Sequence, residues 1–238
     1  MTRSRGLGDV YKRQLPDLAM TSREDVLEDV RRIRSASELP LLVDIDPGWG
    51  SALSISRTIK EMISAGASGV HIEDQVSEKR CGHRPNKEIV SCEEMVDRIK
   101  AAKDANTDDN FLLMARTDAF AKGGLQEVID RSNAFIEAGA GAIFPEAIST
   151  LKDYEEISKN VSKPILANIT EFGMTPLFSH NELAEAGVEI VLHPLSAFRA
   201  MSKAAEKVYA TLASGGDHEG LLDKMQTRDE LYLSLIHI

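Results

Sequence analysis

Six times along this chain a short apolar run breaks off into charged or polar residues: Leu41-Leu-Val-Asp-Ile-Asp46, Gly69-Val-His-Ile-Glu73, Phe111 to Ala115 before Arg116-Thr-Asp118, Ala142-Ile-Phe144 before Pro145-Glu146, Pro164 to Ala167 before Asn168-Ile-Thr170, and Glu189 to Leu192 before His193. Segments of helical spacing separate the runs. Thr21-x-x-Glu24 is a capping box ahead of Val26, Val30 and Ile33, and Pro40 stops that segment. Ser51 is placed to cap a helix carrying Ile55, Ile59, Met62 and Ile63 and ending at Gly66. Ser91-x-x-Glu94 and Ser179-x-x-Glu182 open two more, a fifth runs from about Leu125 to Ala138, and a long amphipathic helix covers Ser196 to Ala213. Strands that are apolar throughout and alternate with helices predict a parallel sheet covered by helices. Ala65-Gly-Ala67 and Ala138-Gly-Ala140 echo one another two βα units apart, at roughly 35 residues a unit. A (β/α) barrel and an open doubly wound sheet both fit, but no Gly-x-Gly-x-x-Gly follows a strand, so a dinucleotide fold lacks support.

The balance of charge narrows the partners. A net charge of −10 argues against nucleic acid, and an anionic small substrate needs a local cluster of cations working against that background. Two cysteines, Cys81 and Cys92, fit a reducing, cytoplasmic setting better than a disulfide. No run of about 18 apolar residues is present, so no membrane partner is expected. Residues 1–14 show no periodicity and no apolar core of a signal peptide, and 233–238 do not continue the preceding helical pattern. Both ends are expected to lie outside the domain, which then spans 15–232.

In a parallel barrel the polar strand ends converge on one face, which is where such enzymes work. Asp44 and Asp46 leave their strand on one side, as do His71 and Glu73. Asp44 and Asp46, which Glu73 and Glu146 can join from neighbouring strands, make a hard oxygen ligand set suited to Mg2+, with Mn2+ as the alternative, and unsuited to zinc. Lys79-Arg-Cys-Gly-His-Arg84 places a thiol among cations, a setting that favours thiolate and makes Cys81 a candidate reactive residue with Lys79 and His83 beside it. The competing reading is a solvated basic turn with an incidental cysteine. Arg116, Arg199 and Arg228 can each grip a carboxylate bidentately, Arg116 most clearly because it stands at a strand end.

These residues form a recognisable set. Val43-Asp-Ile-Asp-Pro-Gly-Trp-Gly50, His71-Ile-Glu-Asp-Gln75, Lys79-Arg-Cys-Gly-His-Arg-Pro-Asn-Lys87, Met114-Ala-Arg-Thr-Asp118, Phe144-Pro-Glu-Ala147, Leu166 to Gly173, Pro194 to Met201 and Met225-Gln-Thr-Arg228 resemble the methylisocitrate lyases, a branch of the isocitrate lyase and phosphoenolpyruvate mutase superfamily. The resemblance runs from Leu15 to about Tyr232. Lys-Arg-Cys-Gly-His is its most specific part, because isocitrate lyases carry Lys-Lys-Cys-Gly-His and the mutases lack the cysteine.

The resemblance implies a (β/α)8 TIM barrel that cleaves 2-methylisocitrate, a small tricarboxylate, to pyruvate and succinate in propionate breakdown. It also implies Mg2+ and a homotetramer. It places Asp44, Asp46 and Glu73 at the metal, and Cys81 and Gly82 on a mobile catalytic loop. Arg116, Glu146, Asn168, Ile169, Thr170, Arg199 and Arg228 fall on substrate contacts. Deprotonating the substrate hydroxyl starts a retro-aldol cleavage, and Cys81 is the expected general acid that protonates the carbanion leaving as succinate. The family pattern has two further βα units before Leu15, so this chain is expected to be a truncated form with six of eight strands. Two alternatives stay open: a related lyase acting on isocitrate or dimethylmalate, or an inactive fragment of such an enzyme.

Overall fold

The computed structural model describes Leu15 and residues 17–82, 86–217 and 219–236. The expectations for residues 1–14 and for His83 and Arg84 lie outside the described residues. The chain divides into two compact units, 1–195 and 196–238.

The first unit is built from six βα steps. Helix α1 (Arg23–Ala36) leads to β1 (Leu42–Asp44), α2 (Ala52–Ser64) to β2 (Gly69–Glu73), and α3 (Cys92–Ala105) to β3 (Leu112–Thr117). Then come α4 (Phe120–Glu137), β4 (Ala142–Pro145), α5 (Leu151–Asn160), β5 (Leu166–Asn168), α6 (His180–Glu185) and β6 (Ile190–Leu192). The six strands pair in parallel and in sequence order, with β1 to β4 in one ladder and β5 with β6 in another. A parallel bridge between Ile143 and Ile165, with Ile143 N–H donating to the Pro164 carbonyl at 2.9 Å, joins the two. The expected six parallel strands are therefore present. β1 pairs only with β2 and β6 only with β5 among the described residues, so the sheet is open at both ends.

Alternation along the strands sorts the side chains into two layers. Val43, Val70, Ile72, Leu113, Ala115, Ile143 and Ala167 lie under the helices, in one buried cluster with Ile55, Ile59 and Met62 of α2 and Met95 and Ile99 of α3. Met114, Ala142, Phe144, Leu166 and Leu192 form a second cluster on the opposite face, with Leu42, Leu112 and Ile190 packed against it. Truncating a wholly buried residue such as Ile59 to alanine costs about 2–5 kcal/mol on this kind of packing.

The helix starts correct the sequence reading in three places. The first capping box is Ser22 with Asp25, one residue beyond the expected Thr21 and Glu24. Ser51 stands at the N-cap of α2 but makes no side-chain cap bond. Helix α5, capped by Thr150, was not predicted, because only Leu151, Tyr154 and Ile157 mark its inner side. Ser91 and Ser179 cap as expected, the latter with a full box. Gly124, at φ 68°, breaks α4 so that its regular part starts at the expected Leu125.

The second unit holds α7 (Ser196–Ala213), a 3-10 segment (Glu219–Lys224) and α8 (Arg228–Leu231), capped by a Thr227–Glu230 box. Met201, Tyr209 and Leu212 of α7 are exposed.

Candidate active site

The inner layer changes character at the C-terminal ends of the strands. Stepping by two from its apolar residues leads from Leu42 to Asp44, from Met114 to Arg116 and Asp118, from Phe144 to Glu146, and from Leu166 to Asn168 and Thr170. On β2 the same face carries His71 and Glu73, and the ladder sets Asp44 beside His71 and Glu73 beside Arg116. Strand register thus brings these buried polar groups together.

Asp44, Asp46 and Glu73 form a carboxylate cluster in which one oxygen of each lies within 4.8 Å of the others. Its supports are local. The Asp46 N–H donates to Asp44 Oδ1 at 2.9 Å, and the Asp46 carbonyl accepts from the Glu73 N–H at 3.1 Å. Asp46 itself is left-handed, at φ 48°, and Gly48, Trp49 and Gly50 also have positive φ, so the chain turns sharply beneath the carboxylate. A Cβ on Gly48 would meet Ile55 Cγ1 at 2.5 Å, which explains glycine in that turn.

Glu73 is completely buried, and neither carboxylate oxygen has a hydrogen-bond partner among the described residues. Burial pushes its carboxyl well above the usual range, against the pull of Arg116 and Lys79. Lys79 is the counter-charge to the cluster: its ammonium lies 2.9 Å from Asp46 Oδ1 and 2.5 Å from Asp17 Oδ1. Burial works against that charge, but Glu73, Asp46, Asp44 and Asp17 more than offset it and hold the ammonium above its ordinary range. His71, whose Nδ1 is 3.7 Å from Asp44 Oδ1, is pushed down by burial and therefore sits neutral, edge-on to Phe144. Three buried carboxylates with one ammonium among them, and two oxygens on Glu73 that accept no hydrogen bond among the described residues, fit a hard cation held by oxygen ligands.

Arg116 is clamped from three sides. Asp118 accepts from Nε at 3.0 Å and from Nη2 at 3.3 Å, Glu146 Oε2 lies 3.3 Å from Nη2, and Glu73 Oε2 lies 3.4 Å from Nη1. The guanidinium also stacks over the Phe144 ring, 5.0 Å from its centroid. Burial would raise the Asp118 carboxyl, but Arg116 and Lys87 outweigh it and hold the group below the usual carboxylate range. Asn168 Nδ2 donates to Glu146 Oε2 at 3.3 Å. Behind Asp118, Asp74 accepts from its N–H at 2.9 Å, from Thr117 Oγ1 at 2.7 Å and from Arg131 Nη1 at 3.2 Å, and burial pushes Asp74 up to about 6.

The Cys81 segment lies against this cluster. Gly82 leaves no room for a side chain, since a Cβ there would overlap Arg116 Nη2 and stand 2.5 Å from Glu146 Cγ. Cys81 and Cys92 are both half-buried, and neither is held in a disulfide.

The structure thus unites Asp44, Asp46, Glu73, Arg116, Glu146, Asn168 and Gly82, with Thr170 buried on the same face. Two expectations change. Lys79, grouped with the Cys81 thiol on sequence, turns instead into the carboxylates, because a buried ammonium requires ionic partners. Ile169, expected among the substrate contacts, points into the outer apolar layer, because it has the opposite parity to Asn168 and Thr170. Arg199 and Arg228 stand on exposed helical positions of the second unit. His193 is exposed, and its Nε2 meets His180 Nε2 at 2.9 Å. The sequence reading gave no site role to Gln75 or Lys87, although both lie inside the motifs it singled out, and it placed Asp118 among the polar strand ends without a role of its own. Asp118 was legible from its two-residue spacing to Arg116. Asp17, the second partner of Lys79, carried no sequence signal.

The family profile described as phosphoenolpyruvate phosphomutase matches residues 6–213. The chain is 59% identical over 227 residues to the 2-methylisocitrate lyase of Vibrio cholerae serotype O1, covering 93% of this chain and 74% of that protein. Among solved structures it is similar to a 2,3-dimethylmalate lyase, with a TM-score of 0.87 and 30% identity over 94% of this chain and 75% of that one. A phosphonopyruvate hydrolase in complex with oxalate and Mg2+ aligns with a TM-score of 0.82 and 27% identity, covering 98% and 81% of the two chains.

Proposed function

Because this chain belongs to the phosphoenolpyruvate phosphomutase family, we propose that it is a carbon–carbon lyase that cleaves 2-methylisocitrate to pyruvate and succinate. The observation that carries this reading is the buried Asp44–Asp46–Glu73 cluster beside Arg116, with the Cys81–Gly82 segment lying against it. The 59% identity to a 2-methylisocitrate lyase supports the choice of substrate. In this reading residues 15–232 form the lyase domain, the parallel strands belong to a (β/α)8 barrel, and the enzyme is a cytoplasmic homotetramer.

Asp44, Asp46 and Glu73 would hold Mg2+, or Mn2+, which when bound supplies Lewis-acid polarisation of a substrate oxygen. The remaining steps belong to the chain's own groups. The Arg116 guanidinium, fixed along its Nε–Nη2 edge by Asp118, offers positive charge to a substrate carboxylate without having to be ordered first. Asn168 and Glu146, bonded to each other, provide donor and acceptor for the substrate's polar groups. Arg199 and Arg228 are proposed as further carboxylate contacts, and His83 as a member of the Cys81 loop. Loss of the hydroxyl proton forms the pyruvate carbonyl, and the electron pair of the broken carbon–carbon bond passes to the carbon that becomes a methylene of succinate. Cys81 donates the proton that carbanion needs. A nucleophilic role fits less well, since the substrate has no ketone or aldehyde carbonyl for the thiol to attack.

The test is incubation with 2-methylisocitrate, isocitrate or 2,3-dimethylmalate in Mg2+ and a thiol reductant, with pyruvate and glyoxylate measured side by side. Pyruvate from 2-methylisocitrate is expected. Comparable glyoxylate release from isocitrate, or preferred cleavage of dimethylmalate, replaces the proposed substrate.

A further inference from the structure

Two buried side chains grip the backbone on either side of Cys81. Before it, the Gln75 amide pairs with Arg80 in both directions: Nε2 donates to the Arg80 carbonyl at 2.9 Å, and Oε1 accepts from the Arg80 N–H at 3.0 Å. After it, the Lys87 ammonium donates to the Gly82 carbonyl at 2.6 Å. The same ammonium donates to Asp118 Oδ1 at 2.6 Å, and Asp118 is the residue that clamps Arg116. Gln75 is wholly buried and Lys87 is 5% exposed.

Such an arrangement is costly to build for a solvated turn. Burying an ammonium requires ionic and hydrogen-bonding partners, and here one partner is a backbone carbonyl next to the thiol while the other is a carboxylate of the site floor. We infer that Lys87 is a positioning residue: it latches the Cys81–Gly82 backbone to Asp118 and Arg116, with Gln75 as the second latch, so that the thiol is presented at the carboxylate and guanidinium cluster. The inference rests on the reading of Cys81 as proton donor. It adds that the donor's place is set by an internal cation bound to the Gly82 carbonyl and to Asp118. Gly82 explains why the latch works at close range. Without a side chain, residue 82 can pack against Arg116 and Glu146 while its carbonyl bonds to Lys87.

The test compares the wild-type chain with Lys87→Met, Lys87→Arg and Gln75→Met. Alkylation of Cys81 and of Cys92 by iodoacetamide is followed separately by peptide mapping, alongside backbone hydrogen exchange in the peptide spanning 79–82. Losing a charge-assisted bond at the latch is expected to speed Cys81 alkylation by at least about tenfold in Lys87→Met, with Cys92 unchanged. Exchange at 79–82 accelerates in parallel. Lys87→Arg restores most of the slow Cys81 rate. Gln75→Met, which leaves Asp118 untouched, gives the same selective acceleration, so the inference stays testable if Lys87→Met folds poorly. In turnover, Lys87→Met lowers kcat with little change in KM. An unchanged ratio of Cys81 to Cys92 rates in both Lys87→Met and Gln75→Met overturns the inference. Selective acceleration without wild-type turnover of 2-methylisocitrate upholds the latch and removes the proposed substrate instead.

Discussion

Arg116 and Asp118 stand two residues apart and face each other through a two-point contact, Nε to Oδ2 at 3.0 Å and Nη2 to Oδ1 at 3.3 Å. Both are buried, and Lys87 closes on the same carboxylate at 2.6 Å. One carboxylate therefore compensates two internal cations. Removing one member of such a group strands the others, at about 3–5 kcal/mol. Asp118→Ala is expected to lose stability on that scale in urea denaturation, well beyond the loss from an exposed pair such as Lys159 with Glu155.

Glu73 sets the pH dependence of the metal-free protein. Its carboxyl is held well above the ordinary 4.5, so between that value and its folded one the native state binds more protons than the unfolded state. Stability therefore falls as pH rises above about 4.5. Asp74, raised from 3.8 to about 6, adds to the fall between those values. Asp118, held low, acts in the opposite sense, and its contribution is lost only as pH drops through its folded value. Glu73→Gln is expected to flatten the decline, as measured by melting temperature across pH 5 to 8 in chelator.

The same variant separates stability from metal binding. Mg2+ at roughly 100 times its dissociation constant should stabilise the wild-type chain by about 2.7 kcal/mol. Glu73→Gln is expected to show little of that gain. Equal Mg2+ stabilisation in both proteins, read by thermal denaturation, would remove Glu73 from the metal set.

Cys81→Ser tests the proton donor. A hydroxyl is a far weaker acid than a thiol, so turnover of 2-methylisocitrate is expected to fall by about 10²–10⁴-fold. Pyruvate and succinate should still bind, as checked by calorimetry. Near-normal turnover in the serine variant would end the assignment.

Gly82→Ala asks for space that Arg116 and Glu146 already fill. Accommodating one methyl there costs about 1–3 kcal/mol or pushes the Cys81 segment away from the site. Lower turnover with a modest loss of melting temperature is expected. A fully active variant of unchanged stability would show that the segment does not approach Arg116 in solution.

Most of the fold was legible because its rules are local. The convergence of parallel strand ends placed Asp44, Glu73, Arg116, Glu146 and Asn168 together, and alternation along the strand sets the Ile169 side chain on the opposite face. A hydroxyl residue three positions ahead of an acid marked two helix starts correctly and missed the first by one position, naming Thr21 where Ser22 caps. Partners set by the tertiary fold were not legible. The Lys79 ammonium meets an aspartate 62 residues away, and Arg131 reaches Asp74 from a helix 57 residues on. In both cases, burial of a charge rather than any motif decides the contact. Lys87 stood inside the Lys79–Lys87 motif, but only its burial between Gly82 and Asp118 separates it from the cations around it.

The left-handed turn at Asp46 limits how this chain can change. Among residues with a side chain, few besides aspartate and asparagine adopt that backbone conformation readily, and only aspartate also brings negative charge. Drift at this position therefore leads first to asparagine, which keeps the turn while removing one charge from the carboxylate cluster. A descendant could lose the proposed metal site and still fold, so a preserved scaffold would be a poor witness to preserved activity; the residue at 46 would be the better one.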